Sequence, residues 1–172
     1  MSLEVIIGSM YSGKSTELMR KVNRWTSIGM RCLVINHTND KRTGLQTHDG
    51  HRMTAVKTNE LLLEGIGPYD AVAIDEAQFF TNLKVAVQLM VQHNKHVVVA
   101  GLNGDFKRQK FGEILDLIPY ADNVMFKRAL CQICAHPHRD ASFTKRLTDE
   151  TDIVSVDSTY IAVCRYCYSK KG

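Results

Sequence analysis

The sequence predicts an α/β protein, with a P-loop NTPase-like parallel sheet flanked by helices and a small C-terminal zinc-binding lobe. Three observations predict it. Apolar runs of strand length alternate with helical patterns over residues 1–128. The segment GSMYSGKS at 8–15 lies between the first such strand and the first helix. Two C-x-x-C pairs follow in residues 129–172. We therefore predict a nucleotide-binding domain over 1–128 and a zinc lobe over 129–172.

Residues 8–15 match G-x-x-x-x-G-K-[ST], the phosphate-binding P-loop. Its glycines let backbone N–H groups turn toward phosphate oxygens, and the positive end of the following helix adds to that field. Lys14 would bridge the β- and γ-phosphates, and the Ser15 hydroxyl would hold Mg²⁺. A chance match in a tight turn is the alternative, and the order of strand, glycine loop and helix argues against it.

A second apolar strand, AVAI at 71–74, ends in two carboxylates. In a P-loop protein the acid at such a tip holds Mg²⁺ together with the loop hydroxyl, and Asp75 has that position. Glu76 would lie near the γ-phosphate, where a carboxylate can accept a proton from the attacking nucleophile. A strand that ends in solvated acids is the simpler interpretation, but the P-loop upstream favours the catalytic one.

Further elements follow from hydrophobic patterning. Residues 31–36, 97–102 and 124–126 are predicted strands, the last of them a core strand. Short helices are predicted at 59–63 and 114–118, and a longer one after an N-cap at Thr81, with apolar positions from Leu83 to Val91. Cys32 is interpreted as a small buried hydrophobe.

Two loops are candidates for function. Residues 37–52 are polar and long for a connection in a compact domain, which is typical of functional or disordered loops. Residues 104–112, GDFKRQKFG, follow a strand at the end where α/β sheets bind ligands. Their basic and aromatic side chains could clamp phosphates and stack a base, or form a solvated turn with two core anchors.

The two cysteine pairs have the spacing of zinc knuckles. Four thiolates so paired can close a tetrahedral Zn²⁺ site, and a site with no open position is structural. His136 and His138 are alternative ligands if one cysteine is excluded. The lobe has few apolar residues, so the metal would supply much of its folding energy. The predicted ligands are Cys131, Cys134, Cys164 and Cys167.

Composition limits the function classes. The chain has 172 residues, 44% of them hydrophobic, and a net charge of +4 that is not gathered into one block. Nucleic-acid binding is therefore not indicated. No apolar run reaches membrane-spanning length, and the first strand begins too early for a signal segment. We expect a cytoplasmic protein with no membrane partner, in which five cysteines indicate metal rather than disulfides.

Six motifs in this order resemble the zinc-containing (type II) thymidine kinases of animals, bacteria and large DNA viruses: G-x-MYSGKSTEL, DEAQFF, GLNGDF, C-x-x-C, FTKRL and CRYC. The resemblance covers residues 3–169. It implies transfer of the ATP γ-phosphate to the 5′-hydroxyl of thymidine, in nucleotide salvage for DNA synthesis. It also implies ATP, Mg²⁺ and structural Zn²⁺ as cofactors, a homotetramer, and feedback inhibition by thymidine triphosphate.

The resemblance also implies roles for individual residues. The family's catalytic base falls on Glu76, and its zinc ligands fall on the four cysteines. The residues implied to bind the ATP phosphates and magnesium are Gly8, Ser9, Met10, Tyr11, Ser12, Gly13, Lys14, Ser15 and Asp75. The nucleoside site falls on Met10, Asp49, Phe79, Leu102, Phe106, Arg108, Phe111, Thr144 and Tyr160, with Asp49 and Arg108 at polar positions near the phosphates. The segment between the knuckles corresponds to the lasso that closes over the nucleoside in the family.

One departure from the family pattern bears on specificity. Relatives usually carry a Gly-Gly pair shortly before the lasso tyrosine, whereas residues 154–160 here read VSVDSTY. The backbone cover over the base is therefore expected to differ. Deoxyuridine lacks one methyl of thymidine and should also be a substrate, and a looser cover would admit some deoxycytidine.

Two other function classes fit parts of the sequence. DEAQ at 75–78 is similar to the DEAx box of nucleic-acid helicases, but those motors need a second ATPase domain and only the zinc lobe follows residue 128. A non-enzymatic zinc-ribbon protein that binds nucleic acid would suit the mild positive charge. That alternative leaves the P-loop and Glu76 without a role.

Overall fold

The computed structural model describes residues 1–40, 45–46, 52–134, 139–147 and 159–170. The first half contains β1 Ser2–Gly8, α1 Lys14–Ser27, β2 Cys32–His37, β3 Leu45–Gln46, β4 Arg52–Met53, β5 Val56–Thr58, β6 Ala71–Ile74, a 3₁₀ turn at Ala77–Phe79 and α2 Leu83–Gln92. The second half contains β7 His96–Leu102, a 3₁₀ helix at Ile114–Tyr120, β8 Asn123–Lys127, β9 Ala129–Leu130, β10 Asp140–Ala141, β11 Phe143–Arg146, β12 Tyr160–Val163 and α3 Arg165–Ser169.

A six-stranded sheet organises residues 1–128, in the order β5-β2-β6-β7-β1-β8. Every neighbouring pair in it is parallel. The predicted α/β fold with a parallel sheet flanked by helices is therefore confirmed. Because all strands run the same way, their carboxyl ends meet at one edge. The P-loop, the 75–76 acids and the loop after β7 leave the sheet at that edge, where open α/β sheets bind ligands.

The sheet is buried on both faces. In β1, Leu3, Val5 and Ile7 pack into one apolar cluster, whereas Ile6 packs into the other, as strand alternation requires. Helix α1 covers the second face with Leu18, Met19 and Val22. Helix α2 and the 3₁₀ helix cover the first face. Burial on both faces explains why these strands read as continuous apolar runs in the sequence.

The predicted helix at 59–63 and the predicted N-cap at Thr81 are both wrong, and both corrections involve Asn82. Residues 59–63 form bends and irregular backbone instead of a helix. The Asn82 side chain holds this segment, since its Nδ2 donates to the Leu61 carbonyl (2.9 Å) and its Oδ1 accepts from the Leu61 N–H (3.3 Å). Asn82, not Thr81, is the N-cap residue of α2, and its side chain makes no capping hydrogen bond there. The tertiary contact outweighs local helix propensity.

The predicted core strand at 124–126 is wrong in its placement. β8 pairs only with β1 within the described sheet and forms its edge. Val124 and Phe126 are 39% and 47% exposed. An apolar run of three residues does not reveal how many neighbours a strand has.

The loop predicted at 37–52 also contains strand structure. β3 and β4 pair as a short antiparallel ribbon, and β5 then joins the main sheet beside β2.

The C-terminal unit is built from short strands. β9 pairs with β10, and β11 pairs with β12, both antiparallel. Its small buried cluster consists of alanines, Val163 and three of the cysteines. The division into two units at residue 128 stays a prediction. Among the described helices, none is long and apolar enough to cross a membrane.

Candidate active site

The segment predicted to be the P-loop lies between β1 and α1, in the expected order. Gly8 is packed so closely that a Cβ there would lie 2.2 Å from the Lys127 carbonyl oxygen and 2.7 Å from Ser12 Oγ. Gly13 has a φ of 76°, the left-handed region that favours glycine, and α1 begins at the next residue. Both glycines therefore have a structural reason to be glycine, and together they give the loop its tight path.

The polar groups of this loop suit an anionic ligand. Lys14 Nζ donates to the Ser9 carbonyl (2.7 Å), so the amine is folded over the loop. Ser12 Oγ is buried and has no hydrogen-bond partner among the described residues. A buried hydroxyl without a partner is costly, and a phosphate oxygen would satisfy it.

Ser15 and Asp75 form the pair expected at a magnesium site. Ser15 Oγ donates to Asp75 Oδ2 at 2.8 Å. Asp75 is almost completely buried, and burial followed by the negative charge of Glu76 raises its pKa to about 7. A divalent cation would favour the charged form of such a carboxyl group. Hydroxyl and carboxylate oxygens are also the donor set that Mg²⁺ prefers, so these residues fit the ion.

Glu76 follows directly in a strained conformation. Its φ is 50° and its ψ 38°, which is uncommon for a residue with a side chain. The 3₁₀ turn at 77–79 begins immediately after it, and Gln78 Nε2 donates to Glu76 Oε2 at 2.7 Å. The chain thus turns sharply and places two carboxylates in succession at the ligand edge of the sheet.

Aromatic rings lie beside these acids. Phe79 contacts Phe111 edge to face, with ring centroids 5.4 Å apart, and it also contacts the His37 ring at 5.5 Å. His37 is buried, and that burial lowers its pKa, which favours the neutral ring. The backbone N–H of Leu102, at the end of β7, donates to the Gln78 side chain. The structure therefore brings Phe79, Phe111 and Leu102 close to Glu76.

A second group of predicted nucleoside residues meets at the P-loop. The Met10 N–H donates to Thr144 Oγ1 (3.2 Å), and the Tyr11 hydroxyl donates to the Tyr160 carbonyl (3.5 Å). The Phe106 and Tyr160 rings are 6.2 Å apart. The two hydrogen bonds join the P-loop to residues more than 130 positions away in the chain.

The remaining predicted residues have other placements. Arg108 stacks its guanidinium on the Tyr168 ring, 4.5 Å from the centroid, so its described contact is with the zinc lobe. Asp49 lies outside the described residues. So do His136, His138 and residues 148–158, the central part of the predicted lasso.

The four predicted zinc ligands form one cluster. Their Sγ atoms all lie within 4.8 Å of one another, and Cys134 Sγ is 3.8 Å from Cys164 Sγ and 3.3 Å from Cys167 Sγ. Ligands about 2.3 Å from a tetrahedral zinc would be about 3.8 Å apart. The cluster therefore fits zinc, and all four positions are filled by protein, as in a structural site.

The cysteine pKa values diverge within this cluster. Burial opposes ionisation of Cys131, but backbone N–H donors from Cys164, Cys134 and Ile133 outweigh it and lower its pKa to about 6. The hydrogen bond with Cys134, and then burial, raise the pKa of Cys167 to about 12. A bound cation is what would allow four neighbouring thiols to be thiolates together.

Three contacts at this edge were not predicted from the sequence. The Gln78 side chain donates a hydrogen bond to Glu76, whereas the sequence shows Gln78 only as a member of the DEAQFF motif. Asn36, fully buried at the end of β2, donates from Nδ2 to Asp40 Oδ2 at 2.7 Å. The Tyr168 hydroxyl donates to the Phe106 carbonyl at 2.6 Å. A polar amide at the end of an apolar strand was the available signal for Asn36.

Comparison with known proteins identifies the family. The family model described as thymidine kinase matches residues 1–168. The chain belongs to the thymidine kinase family. The thymidine kinase of raccoon poxvirus is 41% identical, covering 96% of each chain. Those of vaccinia virus (strain Western Reserve) and monkeypox virus have the same identity and coverage. The resemblance to thymidine kinases inferred from the motifs is thus confirmed, and membership of this family makes the chain a kinase.

Proposed function

We propose that this protein transfers the γ-phosphoryl group of ATP to the 5′-hydroxyl of thymidine, giving thymidine monophosphate. One observation carries the proposal: the Ser15–Asp75 pair at the P-loop is followed immediately by Glu76. The proposed phosphate-binding loop and the proposed proton acceptor would therefore act at the same edge of the sheet. The aromatic residues at the same edge supply a surface on which a pyrimidine can stack.

In the proposed reaction the 5′-oxygen attacks the γ-phosphorus of ATP. The new P–O bond forms as the bond to the β–γ bridging oxygen breaks, so ADP leaves with that electron pair. The proton of the hydroxyl passes to the Glu76 carboxylate. The P-loop amides, Lys14 and the Ser12 hydroxyl would bind the phosphates. Ser15 and Asp75 would hold Mg²⁺, which neutralises charge on the phosphate oxygens when bound.

The nucleoside would be bound between two groups of residues. Phe79, Leu102 and Phe111 lie on the side of the acids. Met10, Thr144 and Tyr160 lie where β11 and β12 dock on the P-loop. A pocket that pairs the thymine edge with fixed polar groups rejects a base with reversed donors and acceptors, because buried polar groups would be left unpaired.

We further propose a structural zinc, a homotetramer and a cytoplasmic location. The cysteine cluster supports the zinc because its sulfur spacing suits a tetrahedral ion. The exposed apolar residues Val124 and Phe126 on edge strand β8 support an assembly, since sheet edges are ordinarily covered or paired. Feedback inhibition by thymidine triphosphate would use the same P-loop and base site.

The test of function is a nucleoside panel. With ATP and Mg²⁺, thymidine should give monophosphate, and deoxyuridine should follow with kcat/KM reduced roughly 5- to 10-fold, since one buried methyl contributes about 1 kcal/mol. Deoxycytidine should be a much poorer substrate, and deoxyadenosine and deoxyguanosine should give no product. Purine turnover that matched thymidine would contradict the pocket assignment. Product from none of the nucleosides would contradict the function itself.

Measurement of the zinc content of the protein and of two cysteine variants tests the zinc proposal. The purified protein should contain about one zinc per chain, because four cysteines complete one tetrahedral site. Cys134→Ser should lose the metal and lower the melting temperature, since metal binding supplies folding energy to this lobe. Cys32→Ser is the matched control, because Cys32 lies in β2, away from the cluster, and should retain the zinc. Active, reduced enzyme without zinc would refute the assignment.

A further inference from the structure

We infer that Gln78 is a positioning residue, which fixes the carboxylate of Glu76 by tying it to the end of strand β7. This inference rests on the proposed function, because it takes Glu76 to be the proton acceptor. Gln78 itself is not assigned to contact either substrate. Its side chain connects the acid to Leu102, a residue of the proposed nucleoside pocket.

Two hydrogen bonds fix the Gln78 amide. Its Nε2 donates to Glu76 Oε2 at 2.7 Å, and its Oε1 accepts from the Leu102 N–H at 3.0 Å. A backbone N–H can only donate, so the amide oxygen must face Leu102 and the NH₂ group must face Glu76. The arrangement therefore presents a donor to Glu76, which suits an ionised carboxylate.

The surroundings of Gln78 leave it no alternative position. The residue is only 3% exposed. A Cβ on Gly101 would lie 2.6 Å from Gln78 Oε1, and a Cβ on Gly112 would lie 2.2 Å from the Gln78 carbonyl oxygen. Side chains larger than hydrogen at either glycine would displace Gln78. Two separate segments thus contribute glycines to the space that this glutamine fills.

The backbone at Glu76 explains why the acid needs such a partner. Glu76 adopts a left-handed conformation, and the 3₁₀ turn that follows returns Gln78 toward it. With Oε2 held, rotation of the carboxylate about its terminal bond is restricted. Proton transfer requires the acceptor oxygen within hydrogen-bond reach of the hydroxyl, so this restriction acts on the chemical step. Because the same amide bonds Leu102, the acid keeps a fixed distance from the pocket wall.

Two variants separate the hydrogen bond to Glu76 from the hydrogen bond with Leu102. Gln78→Met keeps the length of the side chain and removes both hydrogen bonds. Gln78→Glu keeps an acceptor for Leu102 and loses the donor to Glu76. Each should lower kcat roughly 10- to 10²-fold, as for a misplaced catalytic group. The KM values for thymidine and ATP should stay within about 3-fold for Gln78→Glu, because Leu102 keeps its partner.

The decisive measurement is the double variant. If Gln78 acts through Glu76, adding Gln78→Met to Glu76→Gln should lower kcat by less than about 2-fold, since residues that act as a unit are non-additive. A merely structural glutamine would reduce kcat by the same factor in both backgrounds. Asn82→Leu is the matched control, because the Asn82 amide also bridges backbone groups but contacts Leu61 instead of the acid. It should lower the melting temperature and leave kcat unchanged.

Several results would overturn the inference. Wild-type kcat in folded Gln78→Met or Gln78→Glu would do so, as would an undiminished loss in the Glu76→Gln background. If Gln78→Met does not fold, a normal kcat in Gln78→Glu alone overturns the inference. Normal turnover by Glu76→Gln alone is a different outcome, because it removes the proposed base and this inference together.

Discussion

Replacing Glu76 with glutamine is expected to lower kcat for thymidine phosphorylation roughly 10²- to 10⁴-fold, the range for loss of a general acid–base group. Glutamine keeps the size of the side chain and can still accept a hydrogen bond, but it cannot take the proton of the 5′-hydroxyl. The Gln78 amide can still donate to the new amide oxygen, so the loop should keep its conformation. Steady-state rates with thymidine and ATP measure the effect.

Substrate binding provides the control for this variant. Titration calorimetry should give dissociation constants for thymidine and for ATP that are close to those of the unchanged protein. A normal rate in the folded variant would assign proton acceptance to another group or to water. Loss of binding together with rate would instead indicate that Glu76 holds a substrate.

Asp75→Asn is expected to abolish most activity while stabilising the protein in the absence of Mg²⁺. Loss of the carboxylate removes a proposed magnesium ligand, and kcat should fall roughly 10²- to 10³-fold, as for other electrostatic groups at a reacting centre. Asparagine can still accept the hydrogen bond from Ser15. It also removes a buried charge, because Asp75 is almost fully buried beside Glu76. The variant therefore separates the contribution of this acid to kcat from its effect on the free energy of unfolding.

The pH dependence of unfolding tests the stability half of that prediction. Burial, followed by the charge of Glu76, raises the pKa of Asp75 from an ordinary 3.8 to about 7 in the folded protein. Between these values the folded state keeps a proton that the unfolded state releases, so the free energy of unfolding falls as pH rises through this window. Above the folded-state pKa this loss is complete. Denaturant unfolding without added Mg²⁺, and with the zinc retained, should show a shallower decline with pH for Asp75→Asn at several pH values, and identical pH profiles would contradict the assignment.

The local parts of the fold could be predicted from the sequence. Gly8 and Gly13 belong to a short pattern whose geometry is set within a few residues, so the tight loop after β1 and the start of α1 were predicted correctly. The knuckle cysteines likewise come in pairs with characteristic spacing. In each case the signal and the structure occupy the same short segment.

The errors arise where distant residues decide. Residues 59–63 have helical propensity, yet the Asn82 side chain binds the Leu61 backbone and the segment is irregular. The strand predicted from the apolar pattern of β8 is present, but nothing within that pattern shows that the strand has a single neighbour in the described sheet. Gln78 could not be assigned because its role depends on the left-handed turn at Glu76 and on the end of β7. Only the family resemblance could connect Thr144 and Tyr160 with the P-loop.

The docking of the C-terminal unit on the P-loop has a thermodynamic consequence. Ser9 Oγ donates to the Ala141 carbonyl at 2.9 Å, and the Met10 N–H donates to Thr144. The loop proposed to bind ATP is thereby attached to the strands that carry proposed nucleoside residues. Any change in its path that one substrate favours also moves the wall of the other substrate's site. Such shared support makes the two binding free energies interdependent, and the factor by which ATP alters thymidine affinity must equal the factor by which thymidine alters ATP affinity.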